Sequence, residues 1–120
     1  MVKTMYRELE IWKESISFIK EIYFISDKFP KSEEYNLKSQ IRRASVSVSL
    51  NIAEGKCRHS AKDFAHFLNL SSSSLNEVDA ILYICEKLNY INNTIAIHNN
   101  IKILGKRINS LRNKLLKNIA

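Results

Sequence analysis

Apolar residues recur along the chain at alternating spacings of three and four, the period of a helix that buries one face. The spacing predicts four helices, over residues 5–28, 33–54, 61–88 and 94–117. The last of them has the regular apolar seam of a helical bundle, at Ile97, Ile101, Leu104, Ile108, Leu111 and Leu115. Four long helices with short connections predict an all-α fold. We expect one domain over residues 1–120, an antiparallel up-and-down four-helix bundle.

Turn-forming and capping residues mark the helix ends. Pro30 should end the first helix, because the residue before a proline avoids the helical region. Ser32 should cap the start of the second helix, and Gly55 should end it in a left-handed conformation. Ser60 is placed to cap the third helix and Asn89 to terminate it.

One segment carries a conflicting pattern. Residues 45–50 read Ser-Val-Ser-Val-Ser-Leu, the alternation typical of a half-buried strand. A lone strand cannot satisfy its own backbone hydrogen bonds, and the sequence has no second strand-like run to pair with it. The segment is therefore predicted to be helical.

Three of the helices carry a second apolar stripe beside the one expected to face the core. In the first helix the expected core face consists of Met5, Leu9, Trp12, Ile16, Ile19 and Tyr23. Extra stripes on three helices would form a larger exposed patch than soluble monomers usually tolerate. They predict self-association through Ile11, Phe18, Ile22, Ile25, Val46, Leu50, Leu70, Ile81 and Ile84.

Composition and charge add two constraints. The chain has only two glycines and one proline, too few for the turns of a β-sandwich or a tightly connected α/β fold. Residues 1–86 carry twelve basic and twelve acidic residues, whereas residues 87–120 carry seven basic residues and no acidic one. The net charge of +7 therefore belongs to one end of the chain, and such a local field commonly attracts a polyanion. The alternative is a solvated helix face without a partner.

The basic residues of the fourth helix lie opposite or beside its apolar seam. They are the predicted nucleic-acid-binding residues: Lys102, Lys106, Arg107, Arg112, Lys114 and Lys117. This pattern supports phosphate contacts alone, because the sequence has no exposed aromatic row for base stacking and no recognition-helix signature.

Residues for catalysis or metal binding are not arranged in any known pattern. His59, His66 and His98 lack the spacing of a metal site, and Cys57 and Cys85 match no metal or redox motif. There is no phosphate-binding glycine loop and no nucleophile motif, so neither catalytic residues nor a cofactor are predicted. The sequence has no signal peptide and no membrane-spanning run, so we expect a cytoplasmic protein that does not contact a membrane.

Several polar residues flank the expected core. Asn51 falls within the apolar stripe of the second helix and should be buried. Glu77 lies among apolar residues of the third helix, where Arg42 or Arg43, from its own chain or a neighbouring one, could pair with it. We interpret these positions as a structural network that fixes helix register, rather than as a catalytic pocket. Its members are Gln40, Arg43, Asn51, Glu54 and Glu77.

Residues 40–55, which read Gln-Ile-Arg-Arg-Ala-Ser-Val-Ser-Val-Ser-Leu-Asn-Ile-Ala-Glu-Gly, closely resemble a family signature. The family is that of bacterial four-helix bundle proteins encoded within intervening sequences of 23S rRNA genes. The resemblance includes residues 9–13, which read Leu-Glu-Ile-Trp-Lys, and covers roughly residues 6–91. It also includes Phe29, Pro30, Ser60, Asp63, Phe64, Phe67, Leu68 and the segment 88–91. The accessory protein of diversity-generating retroelements is similar in fold.

The resemblance implies a ring-shaped homopentamer with a role in binding nucleic acid. It also implies a possible protein partner, since the retroelement relative binds a reverse transcriptase through a basic surface. The fourth helix lies outside the resemblance, so its basic residues rest on the charge argument alone. Three hypotheses follow: a nucleic-acid-binding oligomer, a scaffold that docks a nucleic-acid enzyme, and an RNA-processing enzyme. The enzyme is disfavoured because the carboxylates of the first helix do not converge.

Overall fold

The structure, a computed structural model, describes residues 5–119 apart from the side chain of Met5, whose predicted core position lies outside the described part. It contains four α-helices: α1 (Glu10–Ser26), α2 (Leu37–Lys56), α3 (Ala61–Lys87) and α4 (Ile95–Lys117). Single 3-10 turns at Met5–Glu8 and Lys31–Glu33 precede α1 and α2. Residues 5–119 contain no strand, so the all-α prediction is confirmed, as is the helical prediction for residues 45–50.

The helices run antiparallel to their neighbours in a bundle that measures 47 × 27 × 19 Å. Along α4 from Asn100 to Arg107, the partner on α1 moves back from Glu21 to Glu14. The connections between α1 and α2, α2 and α3, and α3 and α4 join helices that are neighbours in the bundle, so the chain runs up and down from α1 to α4. The α2–α3 pair forms the most extensive contact and the α1–α4 pair the smallest.

The core of α2, α3 and α4 is formed mainly by residues spaced three and four apart, and the first four positions of the apolar seam predicted for α4 belong to it. These buried residues are Ile41, Ala44, Val48, Ile52, Phe64, Leu68, Ser71, Leu75, Val78, Leu82, Cys85, Ile97, Ile101, Leu104 and Ile108. Buried Ser71 donates its hydroxyl hydrogen to the carbonyl oxygen of Val48 at 2.8 Å, so it is satisfied inside the α2–α3 contact.

The orientation predicted for α1 is wrong. Ile11, Phe18 and Ile22, assigned to an oligomer interface, are buried in the protomer core, whereas Tyr23, assigned to the core, is 39% exposed. Of the other residues on the expected core face, Leu9, Trp12, Ile16 and Ile19 are half-buried. Ile81 of α3 is also wrongly assigned to the interface, since it is 5% exposed and belongs to the core.

Two buried serines explain the orientation of α1. Ser15 and Ser26 share the face of the buried apolar residues and are themselves fully buried. The hydroxyls of Ser15 and Ser49 are hydrogen-bonded at 2.7 Å, and Ser15 also donates to the carbonyl oxygen of Trp12. Small, mutually satisfied hydroxyls fit this helix contact, and they made the true core face of α1 look less apolar than the other one.

The first two helices begin later than predicted. Leu9 is extended, with ψ at 134°, which separates the first 3-10 turn from α1. Ser32 lies within the second 3-10 turn and does not cap α2. The Glu33 carboxylate instead accepts a hydrogen bond from the Leu37 backbone N–H at 3.3 Å, close to the positive end of the helix.

Of the other residues predicted to mark helix ends, Ser60 and Asn89 do so, whereas the prediction for Gly55 is wrong. The Ser60 hydroxyl accepts a hydrogen bond from the Asp63 N–H at 3.1 Å and caps α3, as predicted. Asn89 lies just beyond the end of α3, as predicted, in a left-handed conformation with φ at 63°. Gly55 does not end α2, which continues to Lys56, and no described glycine has a positive φ.

Gly55 permits a close approach between α2 and α3. A Cβ atom at this position would lie 2.8 Å from the Cβ of Phe67 and 2.9 Å from the Cδ1 of Phe64. Both distances are shorter than carbon–carbon contact, so only glycine fits without displacing α3.

Candidate nucleic-acid interface

The exposed side of α4 carries four lysines. Lys102, Lys106, Lys114 and Lys117 are all exposed, because Ile97, Ile101, Leu104 and Ile108 occupy the opposite, buried side of the helix. Among the described residues none of these lysines is within ion-pair distance of a carboxylate. Their charges are therefore available to an external anion.

The two predicted arginines lie on opposite flanks of α4. The Nη1 of Arg107 is 2.9 Å from the Oε2 of Glu14, so this arginine joins α4 to α1. Arg112 is half-buried on the α3 side, next to Lys62, His66 and Asn69. The structure thus separates the six predicted residues into an exposed lysine face, an interhelical tie and one arginine that faces α3.

Two hollows lie between the exposed sides of α3 and α4, and together they define the α3–α4 groove. The first hollow, of about 160 Å³, is lined by Lys62, Ala65, His66, Asn69, Arg112 and Leu116. The second, of about 490 Å³, is lined by Leu75, Asn76, Asp79, His98, Asn99, Ile101, Lys102, Gly105, Lys106 and Asn109. Between them, the Ser72 hydroxyl donates to the Oδ1 of Asn109 at 3.3 Å and links the two helices.

Sequence reasoning missed Lys62 and His66. The charges of residues 1–86 sum to zero, which concealed a local basic pair at the start of α3. Their spacing of four residues on the non-core side of α3 was the available signal. Lys62 and His66 face α4 because of the way the two helices pack, and a count of charges along the chain carries no information about packing.

His98 bridges two carboxylates beside the second hollow. Its Nδ1 is 2.5 Å from the Oδ1 of Asp79, and its Nε2 is 2.6 Å from the Oε2 of Glu86. Partial burial lowers the pKa of His98, but the hydrogen bonds and negative charges of Glu86 and Asp79 outweigh it, so the net pKa is raised above 6.5. Hydrogen bonds from Thr94 and His98 lower the pKa of Glu86. When His98 is protonated, it offsets the negative charge of Asp79 beside the second hollow.

The predicted polar network is not assembled as one unit. The Gln40 amide donates to the Oδ1 of Asn36, half-buried Asn51 donates to the carbonyl oxygen of Ser47, and Glu54 pairs with Arg58 at 2.7 Å. Arg43 and Glu77 are exposed, and neither side chain is hydrogen-bonded or ion-paired to another described residue. Within one protomer, three of the five positions make separate local contacts, so the five do not form one connected network there.

A connected polar cluster exists instead around Arg42. Its Nε donates to the Ser26 hydroxyl at 2.8 Å, and its Nη2 donates to the Oδ1 of Asp27 at 2.8 Å. Its guanidinium also stacks on the Tyr23 ring, 4.2 Å from the centroid. The hydrogen bond from Arg42 lowers the pKa of Asp27. The cluster ties the end of α1 to α2, and Arg42 is not the partner of Glu77.

The described side chains offer little for covalent or metal chemistry. Between residues 5 and 119, no group of three or more His, Cys, Asp or Glu side chains is placed to hold a metal ion. Burial raises the pKa of the Cys85 thiol to about 11, which disfavours its reactive thiolate form. No helix in the described part combines the length and the apolar character needed to cross a bilayer.

Part of the predicted oligomer interface is accessible at the surface. Leu50 is 60% exposed, Leu70 38% and Ile84 45%, whereas Val46 is half-buried. Ile25 is half-buried against the protomer core. The accessible members of the predicted set lie on the outer sides of α2 and α3, away from the lysines of α4.

The fold has a similar solved structure. It belongs to a protein of unknown function from the S23 ribosomal protein family of Bacteroides thetaiotaomicron. The two are 24% identical and superpose with a TM-score of 0.78 over 85% of this chain and 97% of the other. This likeness supports the fold.

The family assignment comes from the sequence itself. No curated protein matches the chain significantly. The sequence model of one family, described as 23S rRNA-intervening sequence protein, matches residues 7–110. The match includes most of α4, which lay outside the resemblance seen in the sequence. Since it spans most of the chain, this protein belongs to the 23S rRNA-intervening sequence protein family.

Proposed function

We propose that this protein is a non-enzymatic, self-associating protein that binds the phosphates of RNA or DNA through the basic side chains of α4. The observation that carries the proposal is the exposure of Lys102, Lys106, Lys114 and Lys117 on a helix without any acidic residue. A phosphate backbone is the partner best matched to closely spaced lysines, because each neutralised phosphate releases condensed counterions. The family description, which refers to 23S rRNA, is compatible with an RNA partner.

Charge reversal on α4 tests this function. In the variant Lys102→Glu, Lys106→Glu, Lys117→Glu, affinity for a labelled RNA oligonucleotide should fall strongly at low salt. If all three lysines contact a single strand, the slope of log affinity against log salt should become shallower by about 2, at roughly 0.7 per lost phosphate contact. Fluorescence anisotropy over a series of salt concentrations measures both quantities.

The matched control reverses three exposed lysines elsewhere, with Lys13→Glu, Lys20→Glu and Lys31→Glu. It changes net charge by the same amount, and its salt slope should stay close to that of the unsubstituted protein. Equal losses in both variants would show that net charge alone is responsible. Unchanged affinity in the α4 variant would exclude α4 as the binding face.

A second function, the docking of a protein partner, is favoured by apolar residues among the lysines. Ile95 is 77% exposed and Ile103 is 54% exposed on α4. Apolar side chains on this helix suit a protein surface better than a phosphate backbone. A purified nucleic-acid enzyme that stays bound after nuclease treatment, and is released by Ile103→Ser, would favour this function over direct nucleic-acid binding.

Self-association is part of the proposal and rests on different residues. Leu50, Leu70 and Ile84 leave apolar surface on α2 and α3. Copies joined through these helices would keep α4 on the outside and repeat its lysines around the assembly. Such repetition would strengthen a field that a single protomer produces only weakly.

A further inference from the structure

The groove between α3 and α4 has cationic groups on both of its walls. In the first hollow, Lys62 and His66 lie on α3, and Arg112 faces them from α4. Lys62 and His66 are exposed and Arg112 is half-buried, so an anion in this hollow could contact all three from different sides. A site that surrounds an anion differs from a flat lysine face, which contacts it from one side only.

A second cationic position lies further along the same groove. Lys102 and Lys106 line the second hollow, and Arg112 lies roughly 9 to 15 Å from them along α4 at 1.5 Å per residue. The acidic residue that lines this hollow is Asp79, and its carboxylate is engaged by His98. The groove can therefore hold at least two anionic groups of one extended molecule.

Four asparagines line the two hollows and alternate with the cationic residues. They are Asn69 and Asn76 on α3, and Asn99 and Asn109 on α4. A side-chain amide both donates and accepts hydrogen bonds, so it can contact sugar hydroxyls and base edges. An inorganic anion could accept hydrogen bonds from the amide N–H groups alone, whereas a nucleotide chain could use both the donors and the acceptors.

The width of the groove favours one strand over two. Axes of neighbouring packed helices lie about 8–10 Å apart, and the groove between them is narrower than that. A duplex is broader, since its major groove alone is about 12 Å wide. A duplex could receive the exposed side of α4 in its major groove, but it is too broad to enter the space between α3 and α4.

We propose that the α3–α4 groove holds a single strand of nucleic acid, with one phosphate between Lys62, His66 and Arg112 and another at Lys102 and Lys106. The proposal rests on the nucleic-acid binding proposed above. It specifies where the nucleic acid binds and that the bound form is single-stranded. It adds two residues of α3 to the binding site. The outermost lysines, Lys114 and Lys117, then attract the strand without lining its path.

The deciding variant is Lys62→Glu, because Lys62 lies outside α4. Affinity for a labelled 12-nucleotide single strand should fall about tenfold at low salt, and the salt slope should become shallower by about 0.7. Lys62 is exposed in the first turn of α3, where a carboxylate favours the helix, so the variant should fold. The control Lys20→Glu, on α1, should change affinity less than twofold.

Two further measurements complete the test. A duplex of the same sequence should bind the unsubstituted protein more weakly than the single strand does. On titration with the single strand, the side-chain amide signals of Asn69 and Asn109 should shift in NMR spectra, and those of Asn36, on the α1–α2 connection, should not.

The outcomes separate this inference from the proposed function. If the α4 triple variant loses binding while Lys62→Glu retains it, nucleic-acid binding stands and the groove is overturned. Equal or tighter binding of the duplex also overturns the groove. If the unsubstituted protein binds neither single strand nor duplex, the proposed function fails and this inference fails with it.

Discussion

Two glycines inside helices have opposite surroundings. Gly55 lies where α2 touches α3, and an added Cβ would meet Phe67 at 2.8 Å. Gly105, on α4, faces more open space, and an added Cβ would meet the Cδ2 of Leu75 at 3.5 Å, an ordinary contact distance. The first glycine is required by packing, and the second is replaceable.

This difference predicts opposite effects of the same substitution. Gly55→Ala should destabilise the protein by about 1–3 kcal/mol, because α3 must move to accept the methyl group. Gly105→Ala should stabilise it by roughly 0.5–1 kcal/mol, because alanine loses less backbone entropy in a helix. Urea unfolding of the two variants measures both effects, and equal stabilisation by both would refute the role given to Gly55.

Gly55 also shows what a sequence leaves undetermined at the level of single residues. A glycine near the end of an apolar helical pattern has the same local signature whether it ends the helix or permits a close contact. The choice depends on Phe64 and Phe67, which belong to another helix. Ser60 and Asn89 were predicted correctly because their capping interactions involve residues at most five positions away.

The buried side of a helix could be predicted from the sequence where the sides of that helix differ clearly in polarity. The core side of α4 was identified correctly, since its other sides are rich in lysine, arginine and asparagine. The first helix has apolar residues on two sides, and its buried side contains Ser15 and Ser26. No count of apolar residues could choose the right side, because the hydroxyl of Ser49 on α2 is what makes Ser15 suitable for burial.

His98 joins α3 to α4 in a manner that depends on pH. The pKa of His98 is raised because Glu86 and Asp79 hydrogen-bond to it and carry negative charge. Folding therefore favours the charged form of His98. The stabilisation should be fully present below pH 6.5, the ordinary pKa, and should be lost as pH rises through the raised value. At acidic pH it persists until Glu86, whose pKa is lowered, becomes protonated.

The substitution His98→Gln tests this link. The loss in unfolding free energy should be largest below pH 6.5 and should shrink as pH rises through the raised pKa of His98. The control His59→Gln alters an exposed histidine of the α2–α3 connection and should show a smaller loss over the same range. An NMR titration that places the pKa of His98 at or below 6.5 would contradict the link.

For the molecule as a whole, the excess positive charge lies on α4, whereas the exposed apolar residues assigned to the oligomer interface lie on α2 and α3. The lysines are on α4, whereas Leu50, Leu70 and Ile84 are on α2 and α3. The excess charge on α4 was visible in the sequence. The groove was not, because its residues come from two helices whose relative rotation is decided by packing.

The exposed apolar residues of α2 and α3 predict that the protein self-associates through these two helices. Light scattering after gel filtration should give a mass well above the 13.9 kDa of one chain, and about 70 kDa for a pentamer. The double variant Leu50→Ser, Ile84→Ser should lower that mass, because it removes apolar area from the proposed contact.

A matched control is Ile103→Ser, which removes a comparably exposed apolar side chain from α4 and should leave the mass unchanged. A monomer mass for the unsubstituted protein at micromolar concentration would refute self-association. A reduced mass for Ile103→Ser alone would place the contact on α4 and compete with the proposed binding face.

The unequal helix contacts have a consequence for how the bundle opens. The α2–α3 hairpin has the most extensive interface, while α1 and α4 meet over the smallest one. Transient opening should therefore begin along the α1–α4 seam and reach the central hairpin last. The proposed binding helix thus borders the weakest seam of the bundle, so an occupied groove would keep α4 on the α2–α3 hairpin after that seam has opened.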